Sequence, residues 1–122
     1  MSAESPRILV VEDDRDTRDV LAELLEAEGY EVRSAANGDE GLLILQDWQP
    51  RVVILDLVLK ETDGWAFRAR QRRLQAGADI PVIVLSAALN PQVEELVPIA
   101  VLKKPFELRE LLDVVARTSQ RE

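Results

Sequence analysis

The chain has 122 residues, enough for one domain and too few for a second full one. Its 23 acidic and 15 basic residues give a net charge of −8, which argues against direct nucleic-acid binding. The lack of cysteine and histidine excludes disulfides, thiolate chemistry and imidazole catalysis. No apolar run approaches the roughly 18 residues of a membrane span, and there is no signal peptide, so we expect a cytoplasmic protein without membrane insertion.

The sequence of the N-terminal half predicts three strands, with one helix between each consecutive pair. Apolar residues recur at helical spacing after the first strand until Gly29, a residue type that commonly ends helices. Asp14 or Asp16 is expected to cap that helix at its start. Pro50 ends the second helix. The predicted strands are residues 8–11, 30–35 and 52–55.

The C-terminal half continues the same alternation. It predicts strands at residues 81–85 and 99–102, with helices at about 64–74, from Asn90 to Pro98, and along the apolar stripe that begins at Leu108. Five strands alternating with five helices indicate a five-stranded parallel sheet covered on both faces, which is a doubly wound, flavodoxin-like three-layer α/β sandwich. We treat residues 1–122 as a single domain.

Chemically useful side chains follow four of the five predicted strands. They are Glu12, Asp13 and Asp14, then Asp56, then Ser86, and finally Lys103 and Lys104. Ligands of open parallel sheets bind at the carboxyl ends of the strands, so these side chains should meet at one edge. Singly, each is more readily explained as a helix cap or a solvated charge. Their joint placement favours a functional site.

The chemistry of that edge points to a carboxylate beside a metal ion. Clustered carboxylates repel one another, and a hard cation such as Mg²⁺ relieves the repulsion. Ser86 has no histidine to activate it, and no Gly-rich phosphate-binding loop is present. Formation of an aspartyl phosphate fits the remaining groups.

The third predicted helix carries the one concentration of positive charge. Its arginines are Arg68, Arg70, Arg72 and Arg73. A helix face with several like charges is most often solvated. We therefore interpret these arginines as a solvent-facing surface and assign them no ligand.

Five motifs in order resemble the receiver domain of two-component response regulators. They are ILVVEDD (8–14), ANGDEGL (36–42), ILDLVLKETDG (54–64), PVIVLSA (81–87) and LKKPF (102–106). The resemblance covers nearly the whole chain and implies strand order 2-1-3-4-5. It implies a non-enzymatic switch whose Asp56 accepts a phosphoryl group from a histidine kinase or a histidine phosphotransfer protein. The chain would catalyse only its own phosphorylation and its slow autodephosphorylation.

The resemblance also assigns the remaining site residues. Ser86 and Lys104 would contact the phosphoryl group on Asp56, and the bond from Lys104 to Pro105 is a candidate cis peptide. Mg²⁺ would be held by Glu12, Asp13, Asp56 and the backbone carbonyl of Val58. Phosphorylation would change the face formed by the fourth helix, fifth strand and fifth helix. That face would bind an unknown downstream protein or a second copy of the chain. No output module follows residue 122, so we expect either a stand-alone regulator or a receiver taken from a longer protein.

Four features depart from the family pattern. Lys60 replaces a usual proline, and Val101 replaces the usual aromatic switch residue, so rotation of a ring cannot report phosphorylation. Val58 and Ala88 are apolar where the family orients the hydrolytic water, which predicts slow loss of the phosphoryl group. Only 17 residues separate Ser86 from Lys104, which shortens the fourth helix.

Two alternative functions compete with the switch. A haloacid-dehalogenase-type phosphatase needs a second aspartate two residues after the first, and Val58 stands there. A receiver-like docking module that works without phosphorylation remains open, because of the four departures.

Overall fold

The computed structural model describes residues 5–57, 61–87 and 91–119. The strands are β1 (Arg7–Val11), β2 (Glu31–Ala35), β3 (Val52–Leu57), β4 (Val82–Ser86) and β5 (Ala100–Lys103). The α-helices are α1 (Arg15–Ala27), α2 (Gly38–Trp48), α3 (Glu61–Gln71) and α4 (Leu108–Ser119). A 3₁₀ helix, Pro91–Leu96, connects β4 to β5.

The strands form one parallel sheet in the order β2-β1-β3-β4-β5, as the sequence predicts. Two hydrophobic cores lie on its opposite faces. One packs α2, α3 and the 3₁₀ helix against the sheet around Phe67 and Val93. The other packs α1 and α4 around Leu25 and Val115. The predicted three-layer α/β sandwich is therefore confirmed.

The strands β3 and β4 extend further than the sequence predicts. Asp56 pairs with Leu85, and Leu57 pairs with Ser86, in continuous parallel register. Asp56 and Ser86 therefore lie inside their strands rather than after them. The prediction failed because a charge normally marks the end of an aliphatic strand, whereas here the backbone ladder continues past it.

The helix α1 begins and ends as predicted. The Asp14 carboxylate accepts hydrogen bonds from the backbone N–H and the hydroxyl of Thr17, at 2.9 and 2.7 Å. These bonds satisfy donors that a helix start leaves free. Gly29 has φ +98° just beyond the last turn, a conformation that favours glycine.

Helix α3 begins three residues earlier than predicted, at Glu61, so Gly64 lies inside the helix. A Cβ on Gly64 would overlap the side chain of Leu57 at the end of β3. Glycine at this position therefore permits close packing between helix and strand, which the sequence pattern does not reveal.

The fourth predicted helix is a six-residue 3₁₀ helix and not an α-helix. The short connection leaves little room for regular i→i+4 bonding, and Pro98 supplies no N–H beyond its end. The predicted cap at Asn90 lies outside the described residues. In the described part, no helix is long and apolar enough to cross a bilayer.

The prediction that all four arginines of the third helix face solvent was wrong for Arg68. Its side chain is buried, with 8% of the residue exposed, and it donates to the backbone carbonyls of Leu96 and Val97. Arg70 does face solvent, where it pairs with Asp39. The spacing of the arginines could not show that the turn after the 3₁₀ helix presents carbonyls to one of them.

Candidate phosphoacceptor site

Side-chain alternation along three strands places a charged group at the carboxyl edge of the sheet. Ile8 and Val10 face the core beneath α1 and α4, and Glu12 continues their row. Val52 and Ile54 face the same core, and Asp56 continues that row within β3. Lys104 follows Leu102, another member of that core. Two carboxylates and an amine thus arrive at one place because each strand alternates with period two.

Lys104 and Asp56 form a close ion pair. The Nζ atom of Lys104 lies 2.6 Å from Oδ1 of Asp56, whose side chain is fully buried. The lysine side chain remains 28% exposed and so reaches the site from its open side. A buried carboxylate is destabilising without such a partner. This ion pair explains how the buried strand β3 can contain a charged residue.

Two carboxylate oxygens in the site have no hydrogen-bond donor. Oδ2 of Asp56 and Oε1 of Glu12 are both buried and unpaired in the described residues. The other oxygen of Glu12, Oε2, accepts the backbone N–H of Asp14 at 2.8 Å. Buried polar atoms are nearly always satisfied in folded proteins, so two exceptions side by side are consistent with a proton or a cation between the two carboxyl groups.

Several causes together raise the pKa of Glu12 from 4.5 to about 8, and burial is the largest of them. The hydrogen bond that a protonated Glu12 can make to Asp56 and the negative charge of Asp56 contribute to the rise, whereas the N–H of Asp14 opposes it. Without a cation, Glu12 therefore favours its protonated form. Both a proton and a divalent cation relieve the same repulsion.

The residues present fit a small, hard cation. The two unpaired oxygens of Glu12 and Asp56 are the donor type that Mg²⁺ takes. Asp13, the third predicted acid, is exposed at the mouth of the site. Among the described residues, no three acidic side chains are grouped as metal ligands. The predicted ligand Val58 lies outside that part of the chain.

Ser86 lies at the end of β4, on the side of the sheet opposite to Asp56. Its row, with Val82 and Val84, faces the core beneath α2 and α3. The serine is buried, and its carbonyl accepts the backbone N–H of Lys104 at 2.7 Å. The backbone thus ties Ser86 to Lys104. Ala87, the next residue, is small and exposed.

The acidic loop after β1 is anchored by an arginine that the sequence did not single out. Nη1 of Arg18, on α1, donates to the backbone carbonyl of Glu12 at 2.9 Å. The N–H of Glu12 donates to the carbonyl of Ala35 in β2. The position of Arg18, one turn after Asp14, is the signal that could have identified it. The predicted cis peptide between Lys104 and Pro105 is present.

Comparisons with known proteins agree with this geometry. Residues 8–116 match the family model of the response regulator receiver domain. The DNA-binding dual master transcriptional regulator RpaA of Synechocystis sp. is 36% identical over 111 residues, which cover 88% of this chain and 46% of RpaA. The response regulator MprA of Mycobacterium sp. is 40% identical over 110 residues, which cover 87% of this chain and 47% of MprA. The chain spans about half the length of these curated relatives.

Solved structures resemble the chain over nearly all of its length. The chemotaxis protein CheY4 of Vibrio cholerae has a TM-score of 0.84 at 26% identity, covering 93% of this chain and 98% of that one. The receiver domain of NtrX from Brucella abortus has a TM-score of 0.79 at 30% identity, covering 94% and 99%. Sequence match, fold and strand order agree, and the chain belongs to the response regulator receiver domains of two-component systems.

Proposed function

We propose that the chain is a phosphoacceptor switch in which Asp56 receives a phosphoryl group. One observation carries the proposal: Oδ1 of Asp56 is held by Lys104, while its buried Oδ2 has no donor among the described residues. An unpaired carboxylate oxygen retains its lone pairs for attack on phosphorus. The neighbouring ammonium group is placed to stabilise negative charge as the bond forms.

The transfer step follows from these positions. An oxygen of Asp56 forms a bond to phosphorus as the phosphorus–nitrogen bond of a kinase phosphohistidine breaks, and the imidazole leaves with the bond's electron pair. Lys104 holds the carboxylate in place and compensates its charge. Mg²⁺, when bound by Glu12, Asp13, Asp56 and the Val58 carbonyl, would neutralise negative charge on the transferring oxygens.

The phosphorylated site then reorganises its polar groups. A phosphoryl group adds about −1.5 to −2 of charge and three acceptor oxygens. Lys104 and the Ser86 hydroxyl are the groups we propose to bind those oxygens, and Ser86, at the end of β4, would have to turn toward Asp56 to do so. Each charge-assisted hydrogen bond contributes about 1.5–3 kcal/mol, so two could shift a two-state equilibrium by on the order of 10² to 10⁴.

The surface that would transmit this change lies around the edge strand β5. Val97, Ile99 and Val101 expose apolar side chains there, next to the 3₁₀ helix and α4. We propose this face for a downstream protein or a second copy of the chain. Val101 is 40% exposed and carries no ring. Coupling would therefore run through Ser86 and movement of the backbone.

A small-molecule phosphodonor tests the proposal directly. With acetyl phosphate and Mg²⁺, intact mass spectrometry should show one added phosphoryl group, which Asp56→Asn abolishes. The exposed Asp39 provides the matched control, because Asp39→Asn should keep the modification. Ser86→Ala should still gain the phosphoryl group but should lose the conformational change that follows it.

The apolar residues Val58 and Ala88 predict slow hydrolysis of the phosphorylated chain. Rapid loss of the phosphoryl group from the purified phosphoprotein would contradict that prediction.

Docking without phosphorylation is the second candidate function. The exposed side chain of Val101 favours it, because the family's usual reporter is missing. The same assay separates the two functions. A chain that stays unmodified by acetyl phosphate and by a cognate kinase would support docking and would refute the switch.

A further inference from the structure

A buried arginine on α3 holds the end of the 3₁₀ helix. Nε of Arg68 donates to the carbonyl of Leu96 at 2.6 Å, and Nη2 donates to the carbonyl of Val97 at 2.9 Å. The carbonyls at a helix end have no partners within the helix. The planar guanidinium supplies both donors from one side chain, a geometry that lysine cannot reproduce.

The same arginine is linked to the segment that leads into β4. Nη1 of Arg68 donates to Oε1 of Gln71 at 2.7 Å. Nε2 of Gln71 in turn donates to the carbonyls of Gly77 and Ile80, at 2.9 and 3.0 Å. The network therefore ties α3 to the backbone near the start of both β4 and β5.

No carboxylate in the described residues forms an ion pair with Arg68. In the part of the chain that the structure describes, its charge is balanced by the dipoles of two backbone carbonyls and of the Gln71 side-chain amide. Burial lowers the pKa of its guanidinium, and the charge of Arg72 lowers it further. A buried cation of this kind is destabilising unless its hydrogen bonds are made. Loss of these hydrogen bonds would therefore leave a buried cation without partners, which favours exposure of Arg68 to solvent.

The backbone that Arg68 holds is strained. Val97 has φ +51°, in the left-handed region that β-branched residues rarely adopt. Its side chain is 54% exposed, so packing does not impose this conformation. The bond from its own N–H to the carbonyl of Glu94, at 3.0 Å, and the contact with Arg68 are the bonds that maintain it.

We propose that Arg68 is a latch on the turn between the 3₁₀ helix and β5, and that its release frees residues 91–99 while the sheet stays intact. The latch joins a strained turn to a buried cation that has no counter-ion in the described residues, so we expect this turn to open before the sheet does. The inference concerns the unmodified chain and stands apart from phosphorylation. Its consequence for signalling rests on the proposed function, because Val97 and Ile99 belong to the proposed output face.

Hydrogen exchange measured by NMR tests the latch. The amides of Val97 and Ile99 donate to Glu94 and Val82, so their exchange reports opening of the turn. In Arg68→Met we expect both to exchange roughly 10- to 100-fold faster than in wild type. Amides of the central strand β3, such as that of Ile54, report global unfolding. Arg70→Met, on the exposed face of the same helix, should change neither set.

A second substitution separates the latch from a general loss of stability. Val97→Gly removes the strain, so its turn should exchange more slowly, and Arg68→Met should have a several-fold smaller effect in that background. Gln49 is the matched control, since it also has positive φ, 53°, and lies at the end of α2. Gln49→Gly should leave the effect of Arg68→Met unchanged.

Two outcomes would overturn the latch. One is equal acceleration at Val97 and Ile54 in Arg68→Met, which would show that the arginine only stabilises the whole fold. The other is strict additivity of Arg68→Met and Val97→Gly. Neither of these measurements uses a phosphodonor. Failure of Asp56 to gain a phosphoryl group would therefore refute the proposed function, whereas hydrogen exchange would still test the latch.

Discussion

At the scale of single residues, the site is a balance of buried charges. Asp56 lies inside a strand whose residues are all buried, and Lys104 is the cation that compensates it. Glu12 brings a second carboxyl group with no cation of its own in the described residues. When both carboxyl groups are ionised, the site carries one more negative charge than the single positive charge of Lys104. A proton or a metal ion would remove this excess.

This balance predicts a pH dependence of stability. Because the folded state raises the pKa of Glu12 from 4.5 to about 8, it binds more protons than the unfolded chain between those values. In metal-free buffer the free energy of unfolding should therefore fall as pH rises from about 5 to above 8. The loss should be on the order of 3 kcal/mol. Urea denaturation followed by tryptophan fluorescence measures it.

Glu12→Gln should remove most of that slope, because the amide mimics the protonated carboxyl group. Glu40 is the matched control: it is exposed and also accepts a backbone N–H, from Ala36. Glu40→Gln should keep the wild-type slope. An unchanged slope in Glu12→Gln would assign the pH dependence to other groups.

At the scale of elements, the sequence predicts the strands better than their connections. Aliphatic runs such as 52–55 and 82–85 identify buried strands because few other elements concentrate those residues. The sequence did not predict the start of α3, because the helix packs closely on β3 where Gly64 meets Leu57, and the apolar pattern does not show that contact. The 3₁₀ helix escaped prediction for a similar reason, since it lies in a short connection and its end is bonded to Arg68, a contact that the sequence does not reveal.

Close packing of α3 on β3 is testable through Gly64. Gly64→Ala would place a methyl group against the Cδ2 atom of Leu57. We expect a net loss of up to about 2 kcal/mol in the free energy of unfolding, because overpacking costs about 1–3 kcal/mol and alanine adds roughly 1 kcal/mol of helix stability. Leu57→Val removes the clashing atom, so the double variant should lose less than the sum of the two single variants. Additive losses in urea denaturation would show that the two sites do not touch.

At the scale of the whole molecule, the topology assembles the site. Glu12, Asp56 and Lys104 are far apart in sequence, and parallel pairing of β1, β3, β4 and β5 brings their strand ends together. The sequence could predict this edge because the rule for parallel sheets is general. It could not predict that Lys104 pairs with one specific oxygen of Asp56, which depends on side-chain positions across three strands.

The excess negative charge at this edge should link Mg²⁺ binding to the stability of the whole fold. A ligand that binds only the folded state raises the free energy of unfolding by RT ln(1 + [L]/Kd), about 1.4 kcal/mol at tenfold excess over Kd. At pH 7.5 we expect MgCl₂ to stabilise the chain more than NaCl of equal ionic strength. Glu12→Gln should weaken that difference, whereas Asp79→Asn, in the loop before β4 at the opposite edge of the sheet, should preserve it. Equal stabilisation by both salts would show that Mg²⁺ acts only by screening the net charge of −8.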